Sequence, residues 1–300
     1  MARRIFATLA VLLISVATVG AEDKFFDSDG VKIHYIVEGQ GEPVLLIHGF
    51  TANIQMQWGL PGIIKALSSD YRVIALDNRG HGRSGKPHDP KQYGVNMVED
   101  AVRLLDHLKI KQAHVVGYSM GGFITGKLIA DHPDRLISAT MGGAGWSQPN
   151  DVRLGFLKDL ADSLDEGKGI GPLIAALTPA NRPQPTEDQI KTINQMIMLT
   201  NDSKALAAVI RGMKEFAVPE EKLKANTVPT LALIGVVDPL KVGVDEMAKR
   251  MSNLKVEVIK GADHMTAFAR PEFVGDLKDF LASHAKVKAK KPAPVAAGAR

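Results

Sequence analysis

The sequence predicts an α/β fold, a mainly parallel doubly wound sheet carrying an all-helical cap insertion, and three observations lead there. Short β-branched or aliphatic runs alternate with longer helical patterns, which requires crossover connections and a sheet covered on both faces. The alternation stops after Met141-Gly-Gly-Ala-Gly-Trp146 and resumes near Val228, leaving a stretch that is helical in pattern. Finally, 300 residues that are 45% hydrophobic and 23% charged have the composition of a globular chain able to bury one large core.

Taken in order, Val31–Val37 alternates apolar and polar residues like a half-exposed strand. Val44–Ile47, Val73–Leu76, His114–Gly117, Leu231–Ile234 and Val256–Ile259 are short runs expected to be sheet strands, most of them buried on both faces. Helices are predicted at Trp58–Leu67, Val95–Leu108, Met120–Asp131, Val244–Met251 and Pro271–Ser283. Within the insertion, apolar spacing at Ile190, Ile193 and Ile197 marks a helix after a proline-rich break from Pro179 to Pro185. The domain plan is a core of 22–145 and 228–285, with the cap at 146–227.

The two ends differ from this body. Arg3-Arg4, an apolar run from Ile5 to Val19 and the small residues Val19-Gly20-Ala21 read as a secretory signal at 1–21, cut after Ala21, so an exported chain is expected, periplasmic or extracellular, with an uncleaved N-terminal anchor as the alternative. Residues 286–300 are rich in Lys, Ala and Pro and read as a disordered basic tail. Without the basic residues of these ends, the surplus of 37 Lys+Arg over 33 Asp+Glu becomes a small deficit, so the net charge of +4 is no nucleic-acid signature. No membrane span is expected in the mature chain. The chain has no cysteine, which excludes disulfides, thiolate nucleophiles and Cys-ligated metals.

A nucleophile must then be oxygen or nitrogen. Gly117-Tyr118-Ser119-Met120-Gly121-Gly122 lies directly after a predicted buried strand and directly before a helix. Such a turn lifts a serine clear of the sheet at the positive end of a helix, and the glycines remove side chains that would collide there. A hydroxyl needs a base to take its proton, and that base needs a carboxylate to hold it. Asp238 and His264 both follow predicted strands, so all three meet at the carboxyl edge of the sheet in the order serine, acid, histidine. Asp263 is a rival acid, but neighbours on an extended loop point apart, and Asp245 is expected to open a helix. An oxyanion needs two N–H donors, expected from Met120 and from Phe50 in His48-Gly49-Phe50.

With these residues in place, the chain resembles the α/β-hydrolase fold superfamily. The matching pieces are His48-Gly49-Phe50, Asp77–Ser84, Gly117–Gly122, Gly235-Val-Val-Asp238 and Gly261-Ala-Asp-His264, and they span about residues 24 to 283. The resemblance implies a hydrolase with Ser119 as nucleophile, His264 as base and Asp238 as orienting acid. Epoxide hydrolases and dehalogenases of the family carry Asp where this chain has Ser119. In the family the Asp77–Ser84 segment shapes a loop, so Asp77, Arg79 and His81 are expected to be structural. Gly80-His-Gly-Arg-Ser-Gly85-Lys86-Pro87 misses a phosphate-binding loop at its last position, where Pro replaces the hydroxyl. No cofactor or metal is predicted.

Apolar cap residues Trp146, Phe156, Leu173, Met196, Met198, Leu199, Met213 and Phe216 are candidates for a substrate pocket, some of them ordinary packing residues. The expected partner is a small molecule, an uncharged ester with a small or medium apolar acyl group. The same three residues also serve C–C bond hydrolases and cofactor-free perhydrolases within the family, and a low-turnover ligand receptor would keep them too.

Overall fold

The computed structural model describes residues 22–149, 151 and 155–286. The expected signal segment, 1–21, and the tail after Lys286 lie outside the described residues. Lys286 itself donates its backbone N–H to the Glu42 carboxylate at 3.0 Å, so the last described residue is tied to the core rather than part of a free tail.

An eight-stranded sheet forms the centre. Its strands are β1 (Lys24–Ser28), β2 (Val31–Glu38), β3 (Glu42–Ile47), β4 (Tyr71–Leu76), β5 (Ala113–Tyr118), β6 (Leu136–Gly142), β7 (Thr230–Gly235) and β8 (Leu254–Ile259). They lie in the order β1-β2-β4-β3-β5-β6-β7-β8. β1 pairs antiparallel with β2, and β2 antiparallel with β4; the remaining neighbours are parallel. The crossovers are α1 (Ile63–Ser68), α2 (Val95–His107), α3 (Met120–Asp131), α9 (Lys241–Ala248) and α10 (Pro271–His284). Between β6 and β7 the chain forms α4 (Phe156–Asp165), α5 (Gly171–Leu177), α6 (Glu187–Met198), α7 (Ser203–Gly212) and α8 (Glu220–Lys224), an all-helical cap.

The central strands read as continuous apolar runs because both faces are covered. Successive side chains point to opposite sides. Leu45, Ile47, Ile74 and Val115 join the core beneath α2 and α3, whereas Val44, Leu46, Val73 and Val116 join the one beneath α1 and α10. β8 departs from the expectation of two buried faces, since it is the edge strand and only Ile259 is fully buried in it.

Three further expectations are corrected. The helix predicted at Trp58–Leu67 is two pieces, a π-helical turn at Gln55–Gly59 and then α1, because Gly62 adopts φ of 78° and interrupts it. β6 had no counterpart among the predicted strands; its Ser138 and Thr140 read as polar, yet both are buried between β5 and β7. α9 begins at Lys241, which places Asp245 inside the helix, paired with Lys241 Nζ at 2.7 Å, rather than at its start.

Candidate active site

Parallel registry decides which strand ends meet. Ile47 lies opposite Gly117, Gly117 opposite Met141, Gly142 opposite Leu233 and Gly235 opposite Ile259. The loops after β3, β5, β7 and β8 therefore emerge along one edge.

Ser119 sits between β5 and α3 with φ of 55° and ψ of −118°, a conformation rare for a residue with a side chain. The glycines around it have to be glycines. A Cβ at Gly117 would lie 2.0 Å from the Gly121 carbonyl oxygen, and one at Gly121 would lie 2.0 Å from that of Ile47. The Ser119 N–H donates to the Gly142 carbonyl at 2.8 Å, tying the turn to the end of β6.

His264 Nε2 lies 3.0 Å from Ser119 Oγ, and its Nδ1 lies 2.9 Å from Asp238 Oδ2. A carboxylate only accepts, so Nδ1 carries the proton toward Asp238 and Nε2 is left to accept from the serine hydroxyl. Asp238 and His264 are both buried. The other Asp238 oxygen accepts the Leu240 N–H at 2.9 Å, which fixes the carboxylate plane.

The two rival acids are placed elsewhere. Asp245 is committed to Lys241, and Asp263 turns away from the imidazole. Asp263 Oδ1 accepts from Thr266 Oγ1 at 2.7 Å and from the backbone N–H groups of Met265 and Thr266, while Oδ2 meets the Arg182 guanidinium. Burial alone would raise the Asp263 carboxyl, but its bonds from Thr266 and the charge of Arg182 outweigh that and hold it below the usual carboxylate range.

Beside the serine runs the loop after β3. A Cβ on Gly49 would come within 3.2 Å of Ser119 Cβ, so any side chain there would crowd the serine. Phe50 follows on that loop, and Met120 is the first residue of α3; among the described residues neither backbone N–H meets an acceptor. Such unclaimed donors at a helix start are suited to a developing negative charge.

His48, Asp77 and His81 buttress this loop from below. Asn78 donates its N–H to His48 Nε2 at 3.0 Å, so His48 Nδ1 donates to the Gly49 carbonyl at 2.7 Å and the ring is held neutral. Asp77 accepts from Ile54 N–H, Arg83 N–H and His34 Nδ1, and Asp23 lies on the other nitrogen of His34. Burial, and then the neighbouring His48, lowers His81 to about 3. Arg79 is buried with Asp100, which it meets through Nε at 2.7 Å and Nη2 at 2.6 Å. This segment holds loops in place, as the sequence reading expected.

The apolar candidates for a pocket scatter. Trp146 and Phe216 border a cavity of about 10 Å³ shared with Phe123 and Met141, too small for a substrate, and Met213 is buried in the same core. Trp146 Nε1 is also spent on the Val218 carbonyl at 2.8 Å. Phe156 and Leu173 are half-buried against the core; Met196 and Leu199 face solvent, 66% and 84% exposed. A larger groove of about 740 Å³ is lined by Asp23, His34, Asn53, Arg83 and Thr200, and Ser119 does not line it.

Two contributors to the site were not read from the sequence. Tyr118 donates its hydroxyl to the His264 carbonyl at 2.6 Å, and Arg182 reaches Asp263 from the cap. The position of Tyr118 beside Ser119 was a usable signal; nothing local marks Arg182. Among the described residues there is no cluster of three or more metal-ligating side chains, and no helix is long and apolar enough to cross a membrane.

The family model described as alpha/beta hydrolase fold matches residues 42–171. The dihydrolipoyllysine-residue acetyltransferase component of an acetoin cleaving system from Cupriavidus necator is 37% identical over 122 residues, 39% of this chain and 31% of that protein. A fluoroacetate dehalogenase from a Burkholderia species is 34% identical over 123 residues, 40% of each. The chain thus spans less than half the length of these two relatives. A thermophilic esterase from Thermogutta terrifontis, solved with malate bound, superposes with a TM-score of 0.70 at 24% identity, covering 88% of this chain and 99% of that one, a likeness of fold. By this family match over residues 42–171 and the shared sheet architecture, the chain has the α/β-hydrolase fold.

Proposed function

We propose that the protein is a serine hydrolase that cleaves a carboxylic ester of a small to medium apolar substrate through an acyl-enzyme. The observation carrying this reading is the unbroken chain from Ser119 Oγ through His264 to Asp238, at 3.0 and 2.9 Å. Ser119 Oγ attacks the carbonyl carbon as its proton passes to His264 Nε2, and Asp238 stabilises the imidazolium. The tetrahedral oxyanion takes the N–H groups of Phe50 and Met120. The imidazolium returns its proton to the alcohol that leaves; a water, deprotonated in turn by His264, then releases the acid and restores Ser119.

A fluorophosphonate reacts only with an activated serine, so labelling followed by mass mapping tests the reading without presupposing a substrate. Modification at Ser119, with loss of aryl-ester hydrolysis in Ser119→Ala, is expected; full esterase activity in that variant would refute it. Parallel assays with a ring-cleavage dienoate and with peroxide plus acetate separate ester hydrolysis from C–C hydrolysis and perhydrolysis. Export belongs to the same reading and rests on the Arg3-Arg4 and apolar pattern; N-terminal sequencing of the mature protein, expected to begin at Glu22, tests it.

A further inference from the structure

Between α5 and α6 the cap carries a proline-rich loop at 178–186, and from it Arg182 Nη1 reaches Asp263 Oδ2 at 2.5 Å. Among the described residues this is the sole hydrogen bond or ion pair joining 179–185 to the sheet domain. Its two ends are unlike. The Arg182 side chain is 52% exposed, whereas that of Asp263 is 7% exposed and precedes His264 in the chain. One Asp263 oxygen already shapes the turn that carries the imidazole, through Thr266 Oγ1 and the N–H groups of Met265 and Thr266. The other oxygen is thereby aimed at the cap.

We propose that Arg182 is a positioning residue: its ion pair with Asp263 closes the cap loop onto the turn bearing His264, so that substrate is held against Ser119 only while the pair is made. This rests on the hydrolase reading above. Because Asp263 keeps its bonds to the turn without Arg182, losing the guanidinium frees the 178–186 loop, while the rest of the cap stays packed on the core and the imidazole stays in register. Losing the Asp263 carboxylate loses both. The proposal therefore separates two variants that a merely structural contact would treat alike. A half-exposed pair is also screened by salt, which gives the intact enzyme its own signature.

The experiment compares wild type, Arg182→Ala, Arg182→Lys and Asp263→Ala with an aryl ester. Arg182→Ala is expected to raise KM about tenfold with kcat within about twofold, and Arg182→Lys to recover most of that loss. Asp263→Ala, which removes the turn's acceptor along with the pair, should raise KM and lower kcat as well. In wild type 0.5 M NaCl should raise KM toward the Arg182→Ala value and leave that variant unmoved. Hydrogen exchange of 178–186 supplies a readout independent of turnover: faster in Arg182→Ala, restored in Arg182→Lys. Unchanged KM or unchanged exchange in Arg182→Ala overturns the proposal, as does a salt response equal in both proteins. Failure of the wild type to turn over esters or to be labelled at Ser119 counts against the hydrolase reading instead, and the exchange comparison then still decides whether the pair holds the loop.

Discussion

Tyr118 and His264 are joined across 146 positions of sequence by a hydrogen bond of 2.6 Å from the phenol to the histidine's backbone carbonyl. The residue before the serine thus holds the main chain of its hydrogen-bond partner, and one rigid strand end sets the position of both. Burial, with the carboxylates of Asp238 and Asp263 nearby, pushes the phenol well above its ordinary value, so it stays a donor throughout the working range. Tyr118→Phe is expected to cost about 1 kcal/mol of stability and to lower kcat several-fold with little change in KM. Urea titration and steady-state kinetics on the same preparation check both parts.

On the proposed serine-hydrolase reading, in which the three groups act as a unit, Ser119→Ala should lower turnover by on the order of 10⁴ to 10⁶, and Asp238→Asn by about 10⁴. Combining the two changes should cost little more than Ser119→Ala alone. Ester hydrolysis by the double variant, set beside unchanged thermal unfolding, measures that non-additivity.

Arg79 and Asp100 lie fully buried, and the guanidinium also reaches the Gln92 carbonyl. Asp100→Ala strands a buried cation and should destabilise the protein by about 3 to 5 kcal/mol. Replacing both by apolar residues of similar volume should cost much less. Denaturant midpoints of the single and double variants decide the matter.

His81 titrates at about 3 in the folded protein against the ordinary histidine value of 6.5, chiefly because it is buried and secondly because His48 adjoins it. The unfolded chain therefore binds the proton first, and the stability this neutral ring contributes is complete above about pH 6.5 and lost progressively as pH falls toward 3. Burial gives His48 the same sign. His34 has the opposite one. Burial lowers its value, but the bonds to Asp77 and Asp23 outweigh that and raise it, so its contribution persists through the acid range and fades as pH rises through its folded value. Unfolding free energy measured between pH 6.5 and 5 should fall in wild type and be flatter in His81→Gln, which is less stable overall.

Much of this protein was legible in one dimension. The buried strands showed as apolar runs because both faces of a parallel sheet are covered, and the glycines around Ser119 showed because no other residue survives contacts of 2.0 Å. The order of Ser119, Asp238 and His264 followed from strands that end along one edge. Other features needed the third dimension. β6 was hidden because Ser138 and Thr140 read as polar while the neighbouring strands bury them; Ser138 finds a partner in His114 Nδ1 at 2.7 Å. Asp263 and Asp238 are both loop carboxylates near His264, and only side-chain direction separates them, with one accepting from the imidazole and the other from Thr266 and Arg182. Local patterns determine which backbone forms and where a serine must be strained. Which distant side chains touch depends on registry and packing across the sheet and cap, and no short-range pattern encodes that.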